Sequence, residues 1–275
     1  MTEYSSRVYK VTKNNSLELH SLVLLKEGKN FAPNIYLQPY YEAYQKGAAM
    51  KDLADRLCSI YQGYTTPIVE DKFDYSFDRM KAVIIYRLVS YDRNKKLLEK
   101  VPHMKYLDLA ITYHCLVRED EEGIGTIRIT NEHMENWNVK LTDIHKMAIS
   151  NTQRLFPHNI SSMEEVMKGL LTLEYNTETA QKRMYILSNQ KGINGASCLL
   201  YKDVLTGFAK KLESDFYVFP SSIHEVILVL ASDLRSSKEY SEMVREINRT
   251  QVAEDEVLSD NIYFFSRTSG LRLLE

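Results

Sequence analysis

Glycine is scarce in this sequence, with 10 in 275 residues, and what glycine there is does not fall into phosphate-cradling patterns. No G-x-x-x-x-G-K-[ST] run exists. "GIGTIR" carries only two glycines and leads into a strand pattern, whereas a dinucleotide fingerprint opens a helix. "NQKGING" lacks the lysine-hydroxyl ending and reads as a tight turn. Cysteine is nearly as sparing. Cys58, Cys115 and Cys198 are widely spaced, form no C-x-x-C pair, and read as reduced and mostly buried, which suits the cytoplasm. No apolar run approaches the ~20 residues of a membrane helix, and "MTEYSSRVYKVTKNN" has no apolar core of signal-peptide length. A net charge of -2 lacks the basic excess of a phosphate-backbone binder. Its short basic runs, "RNKK" at 93–96 and "KR" at 182–183, read as solvated ends and loops, so a nucleic-acid role is only a further alternative.

Metal and nucleophile motifs are missing too. None of the seven histidines forms H-E-x-x-H or sits at zinc-finger spacing from a cysteine. Glu132, His133 and Glu135 in "NEHMENW" read as surface residues. No metal and no cofactor is expected. The G-x-S-x-G elbow is absent. One stretch does gather catalytic residue types: "PSSIHEV" holds Ser221, Ser222, His224 and Glu225 within five positions. In a strand Ser222 and His224 would share a face and Glu225 would point away, so the simpler reading makes this the polar mouth of the strand "VILVL". The alternative is a hydrolase built on Ser222, His224 and Glu225, with Asp260 near the last strand.

What is present is an ordinary globular composition, 44% hydrophobic and 26% charged, with 19 tyrosines suited to half-buried sheets and contact surfaces. "RVYKV" and "SLELHSLVLL" flank Lys13-Asn14-Asn15 as a hairpin, and "PNIYLQ" reads as a third strand. Pro39 opens a short helix that Gly47 closes. Met50, Leu53, Leu57, Ile60, Tyr61 and Tyr64 form a helical stripe, and a long helix is expected from Phe77 to Glu99 with Met80, Val83, Ile84, Leu88 and Tyr91 on one face. Residues 106–117 alternate as a strand of a one-face antiparallel sheet. They turn at Arg118 to Gly123 into "IGTIRIT", with Leu109, Ile111 and Tyr113 toward the core. Helices are expected at 141–155 and 163–173, the second capped by a Ser162–Glu165 box.

The polar stretch 174–183 is the best boundary between an N-terminal half, 1–173, and a C-terminal half, 184–275. The second half reads as strand "MYILS", a helix around Val204–Leu212, strands "DFYVF" and "VILVL", a helix from 237 to 249 and a last strand "NIYFFSR". A Ser236–Glu239 box caps that helix, with Tyr240, Met243, Val244 and Ile247 as its buried stripe. The fold class expected is α+β, with largely antiparallel sheets and packed amphipathic helices.

The segments "KNNSLELHSL", "NIYLQPYYEAY", "VPHMKYLDLAITYHCLV", "GASCLLY", "PSSIHEVILV" and "EINRTQVAEDEVLSDNIYFFSR" together resemble a bacterial family of domains of unknown function, common in gut-dwelling anaerobes and often near mobile genetic elements. The resemblance runs from about Tyr9 to Arg267. It implies a bacterial cytoplasmic protein whose two halves form one integrated unit, and it implies no activity, cofactor or catalytic residue. The leading expectation is a non-catalytic binding or regulatory protein with a protein partner.

Overall fold

The chain opens with the hairpin its asparagines predict. The structure, a computed structural model, describes residues 4–30, 32–65, 73–120, 123–170, 184–220, 222–231 and 237–274. β1 (Tyr4–Thr12) pairs antiparallel with β2 (Glu18–Lys26), from Tyr4 opposite Lys26 to Thr12 opposite Glu18. Asn15 takes a left-handed φ of 55° in the turn, which asparagine tolerates because its short side chain finds local polar partners. β3 (Ile35–Tyr36) adds to β2 and completes a three-stranded sheet. α1 (Gln38–Gln45) begins with Pro39 in its first turn and stops before Gly47 at φ 94°. In α2 (Met50–Thr65) the expected stripe is only partly covered: Leu53 and Tyr61 are buried, while Met50 and Ile60 are exposed.

The long helix expected from Phe77 to Glu99 does not form. α3 (Phe77–Met80) is a single turn, β4 (Ile84–Ser90) is a strand, and a 3-10 turn at Asp92–Asn94 leads into α4 (Lys95–Leu98). Ile84, Ile85, Tyr86, Leu88 and Val89 are all buried, so both faces of β4 are covered. A strand buried on both faces needs a near-continuous apolar run, which also satisfies a helical template.

β5 (His103–Tyr106) turns at Leu107, itself at φ 55°, into β6 (Leu109–Asp120), and β7 (Gly123–Arg128) is the next described strand. The strand expected over 106–117 is thus interrupted after Tyr106. β6 lies between β4 on one side and β5 and β7, end to end, on the other. The 106–130 hairpin forms as expected, with Asp120 opposite Gly123 inside its tip. Leu109, Ile111 and Tyr113 are buried, also as expected, but so are Ala110, Thr112, His114 and Leu116 on the opposite face. The one-face sheet is therefore corrected to a sheet covered on both sides. Leu97, Leu98 and Val101 pack over Val89 and Ala110 at one end of the second face, and Phe156 packs with Ile85 and Leu116 at the other.

α5 (Asn131–Trp137) and α6 (Leu141–Leu155) follow. α6 is stitched to β4: Thr152 Oγ1 accepts the Tyr86 N–H at 2.9 Å and Asn151 Nδ2 donates to the Ile84 carbonyl at 3.0 Å. After β8 (His158–Ser162), α7 (Met163–Leu170) carries the expected capping box, with Ser162 N–H donating to Glu165 at 2.9 Å and Glu165 N–H donating to Ser162 Oγ at 3.1 Å. The boundary stretch 174–183 lies outside the described residues.

β9 (Met184–Asn189), α8 (Val204–Leu212), β10 (Phe216–Phe219), β11 (Val226–Leu230), α9 (Ser237–Thr250), β12 (Tyr263–Ser266) and β13 (Gly270–Leu273) complete the chain. Their strands and β8 make a six-stranded sheet in the order β13-β12-β10-β11-β9-β8. Every pairing among the described strands is antiparallel, and the fold is α+β. α9 buries Tyr240 and Val244 against Phe219, Val229 and Ile262, but Met243 and Ile247 of its expected stripe are exposed. Ser236 of its expected capping box lies outside the described residues. One core draws on both sides of 174–183: Ile84, Tyr86, Leu109, Ile111 and Tyr113 cluster with Leu187, Phe216, Leu228 and Tyr263. Each such side chain contributes about 1.5–3 kcal/mol by leaving water. Buried tyrosines also cross between the halves, Tyr86 Oη donating to the Ser197 carbonyl at 3.1 Å and Tyr201 Oη to the Phe156 carbonyl at 2.8 Å.

Candidate functional site

β10 ends at Phe219 and β11 begins only at Val226, so Ser222, His224 and Glu225 sit in the connecting turn and not in a strand. That changes which side chains meet. Strand alternation would part Ser222 from Glu225; in the turn, Ser222 Oγ donates to Glu225 Oε1 at 3.0 Å. The same oxygen accepts the His224 backbone N–H at 3.0 Å, and Ser222 N–H donates to the Glu225 carbonyl at 3.3 Å. This is the local serine-to-backbone bonding that stabilises turns. The His224 ring does not lie along a sheet face. Its Nδ1 accepts the Asn194 N–H at 3.2 Å, which places the neutral ring's proton on Nε2, 3.4 Å from Glu256 Oε1. Among the described residues the imidazole therefore addresses Asn194 and Glu256, and the Ser222 hydroxyl addresses Glu225. Asp260 is held elsewhere, accepting from Asn248 at 2.9 Å and Arg93 at 2.7 Å. Burial pushes its carboxyl up, but the bonds from Asn248 and Arg93 outweigh that and hold it below its ordinary value. Ser221 lies outside the described residues.

An open depression of about 490 Å³ lies over this turn, lined by Gly192, Ser222, His224, Glu225, Gln251 and Glu256. The turn beside it packs against one glycine, Gly195. A Cβ on Gly195 would stand 2.1 Å from Ser188 Oγ and 2.4 Å from the His224 carbonyl oxygen, so "GING" ends in glycine because two backbones touch there. Asn189 closes the preceding loop on itself, donating to the Ile193 carbonyl at 2.8 Å and accepting the Lys191 N–H at 3.0 Å.

The turn also touches a polar junction that no motif announced. Ile223 N–H donates to the Glu256 carbonyl at 2.8 Å. On the far side of that 254–257 loop sits the tip of the β1–β2 hairpin. Asn15 Nδ2 donates to the Glu254 and Val257 carbonyls at 2.8 and 2.7 Å, Asn14 Nδ2 to the Asp255 carbonyl at 2.7 Å, and Lys13 Nζ to the Asp255 carboxylate at 2.8 Å. Asn15 and Asn94 exchange two further bonds, Asn15 N–H to Asn94 Oδ1 at 2.9 Å and Asn94 Nδ2 to Asn15 Oδ1 at 3.0 Å. Just beyond, Asp108 receives Ser259 Oγ at 2.5 Å, Asn261 Nδ2 at 2.9 Å and Tyr263 Oη at 2.7 Å. The polar residues of "KNN" and "VLSDN" are thus spent on joining distant parts of the chain. The only sequence signal was polar side chains in stretches that also carry apolar strands.

Other reactive groups are placed as follows. Cys115 and Cys198 are buried, and burial pushes their thiols up to about 11 and about 12, out of the reactive range; Cys58 is exposed. His133 caps α5: its Nδ1 accepts the Thr130 N–H at 3.1 Å and its own N–H donates to Thr130 Oγ1 at 3.3 Å. It packs with Tyr75 and Trp137 beside a shallow hollow of about 380 Å³. Among the described residues no group of three or more His, Cys, Asp or Glu side chains is set to hold a metal ion. In "RNKK", Arg93 is paired with Asp260 and Lys95 with Asp92, so that run is of mixed sign in space; Lys182 and Arg183 lie outside the described residues. No described helix is long and apolar enough to cross a membrane.

The model of a Family of unknown function (DUF5688) matches residues 1–267, and the chain belongs to that family. No curated protein and no solved structure matches it.

Proposed function

We propose, with membership of this family as the premise, that the protein is a non-catalytic binding and regulatory protein whose ligand is another protein. The observation that carries the reading is the commitment of Ser222 to Glu225 and of the His224 ring to Asn194 and Glu256, which leaves the serine without its imidazole base. A second observation favours a protein ligand. Seven of the nine residues of β1 are exposed, Tyr4, Val8 and Tyr9 among them, and β1 pairs with β2 alone among the described strands. A long strand with an unpaired edge and exposed aromatic side chains is suited to receive an extended segment of a partner. Three free cysteines favour a reducing compartment, the cytoplasm. The resemblance noted above favours a bacterial setting near mobile genetic elements.

The test has two arms. A fluorophosphonate probe should leave Ser222 unlabelled, and Ser222→Ala should cost about 1 kcal/mol of stability, the worth of a local hydrogen bond. A photo-crosslinking residue at Val8 should give one discrete protein adduct in the native host, and the same residue at exposed Lys211 should give none. Labelling of Ser222 that His224→Ala abolishes without loss of fold would replace this reading with the hydrolase.

A further inference from the structure

The second face of the central sheet carries two arginines and, among the described residues, no acid that pairs with them. Directly opposed residues on antiparallel strands share a face. Arg87 of β4 stands opposite Thr112 of β6, and Arg128 of β7 stands opposite His114, two residues along the same strand. Thr126 of β7 joins them opposite Leu116. These residues form a polar band between two apolar ends, Val89 with Ala110 on one side and Ile85 with Leu116 on the other.

A pair of guanidinium groups offers ten N–H donors. Among the described residues two are used: Arg87 donates to Thr126 Oγ1 at 3.0 Å, and Arg128 to the Thr12 carbonyl at 3.3 Å. Arg87 Nε is sealed from water and has no hydrogen-bond partner among the described residues. Neither arginine forms an ion pair with a described carboxylate. Burial, and then the two nearby guanidinium charges, hold His114 well below its ordinary value, so it stays neutral and adds no positive charge of its own. Burial also pulls Arg87 down to about 10, with Arg128 adding to the effect. Two desolvated like charges without a counter-charge oppose folding, and an unpaired buried donor adds to that cost. Both arginines nevertheless remain partly open to solvent, over the buried Thr112 and His114.

We propose that this band is a binding site for a doubly charged oxyanion, a phosphate group held between Arg87 and Arg128 over Thr112. Charge sets the class: two guanidinium groups are neutralised by one dianion. Geometry sets it further. Arg87 and Arg128 stand on the strands either side of β6, so their unspent terminal N–H groups approach a tetrahedral group from two directions. The site is separate from the Ser222 turn, and it meets β1 through the Thr12 carbonyl and not through the exposed Tyr4, Val8 or Tyr9, so it is tested independently of the partner reading above.

The full chain is titrated by calorimetry with inorganic phosphate, glycerol 3-phosphate and malonate, in chloride buffer of matched ionic strength. Saturable binding of phosphate or of the phosphomonoester is expected, and the tighter of the two tells a free ion from an esterified one. Arg87→Met should weaken it at least ten-fold. In phosphate-free buffer the same variant should melt at or above the temperature of the parent, because a like-charge pair has been relieved. Arg128→Gln should repeat both effects and serves if Arg87→Met fails to fold. The proposal is overturned if neither phosphate compound saturates, if malonate alone does, or if both variants bind as the parent does.

Discussion

Removing the Asp108 carboxylate tests whether the polar junction holds the fold together or merely decorates it. Asp108 follows the β5–β6 turn residue Leu107, and its three donors come from more than 150 residues away. Of these, Tyr263 and Ser259 are buried at 0% and 3% exposure, so neither hydroxyl can turn to water when its acceptor is cut away. Asn261 is half-buried and can. Stranding a buried donor costs about 1–3 kcal/mol, so two of them put Asp108→Ala at roughly 2–6 kcal/mol, centred near 4. For a chain of this size each kcal/mol moves Tm by about 2–4 °C, which predicts a fall of roughly 8–16 °C. Urea unfolding should show the same loss as a lower midpoint at unchanged slope. Tyr263→Phe removes one donor along with its bond and should cost less, about 1–2 kcal/mol. The double variant should then be less destabilised than the sum of the two by about 1 kcal/mol or more, because the bond can be lost only once. Additive costs, or an Asp108→Ala penalty below about 1 kcal/mol, would refute the reasoning.

Gly195→Ala should abolish stable folding or cost upwards of about 3 kcal/mol, since the backbone at His224 and the Ser188 hydroxyl occupy the space of the new methyl; a melting temperature within a few degrees of the parent would contradict the close approach. Stability should fall as pH drops below about 6.5. There the unfolded chain protonates His114 while burial beside Arg87 and Arg128 keeps the native ring neutral, giving a slope of up to about 1.4 kcal/mol per pH unit per histidine. His114→Asn should flatten that slope, the remainder belonging to His133 and His145, which burial also holds low. Cleavage engineered into the connector 174–183 should leave two fragments that co-purify and unfold together; separate, independently cooperative fragments would refute a single unit.

How much was legible from sequence depended on whether a signal was local. The asparagine turn at Asn15, the proline start of α1 and the Ser162–Glu165 box were read correctly, because each is set by neighbouring backbone geometry. β4 was misread as helix because Met80, Val83, Ile84 and Leu88 fit a helical spacing. The β-branched and aromatic content of Val83 to Val89 was the better arbiter. The one-face reading of β6 failed for a related reason. Thr112 and His114 look like an outward polar face, yet they are covered because β4, β7 and the flanking clusters bring their own apolar and cationic side chains over them. At the Ser222 turn the residue types were found but the facing was wrong, since Ser222 to Glu225 form a turn and strand alternation does not govern them. The Asp108 and Asn15 junctions were invisible, because bonds spanning 150 to 240 residues leave no local pattern.

The hairpin tip and the 254–257 loop, joined across 242 residues between Lys13 and Asp255, also impose an order in time. At a synthesis rate of roughly 5–20 residues per second, the tip emerges from the ribosome some 12–48 s before its acceptors exist. Through that interval Asn14 lacks the Asp255 carbonyl and Asn15 Nδ2 lacks the Glu254 and Val257 carbonyls, and until β3 and Asn94 arrive β1 and β2 are a bare hairpin, marginal on its own. The hairpin is therefore made well before it is secured, and a nascent chain stalled before residue 254 exposes a tyrosine-lined strand edge to whatever else is being translated nearby.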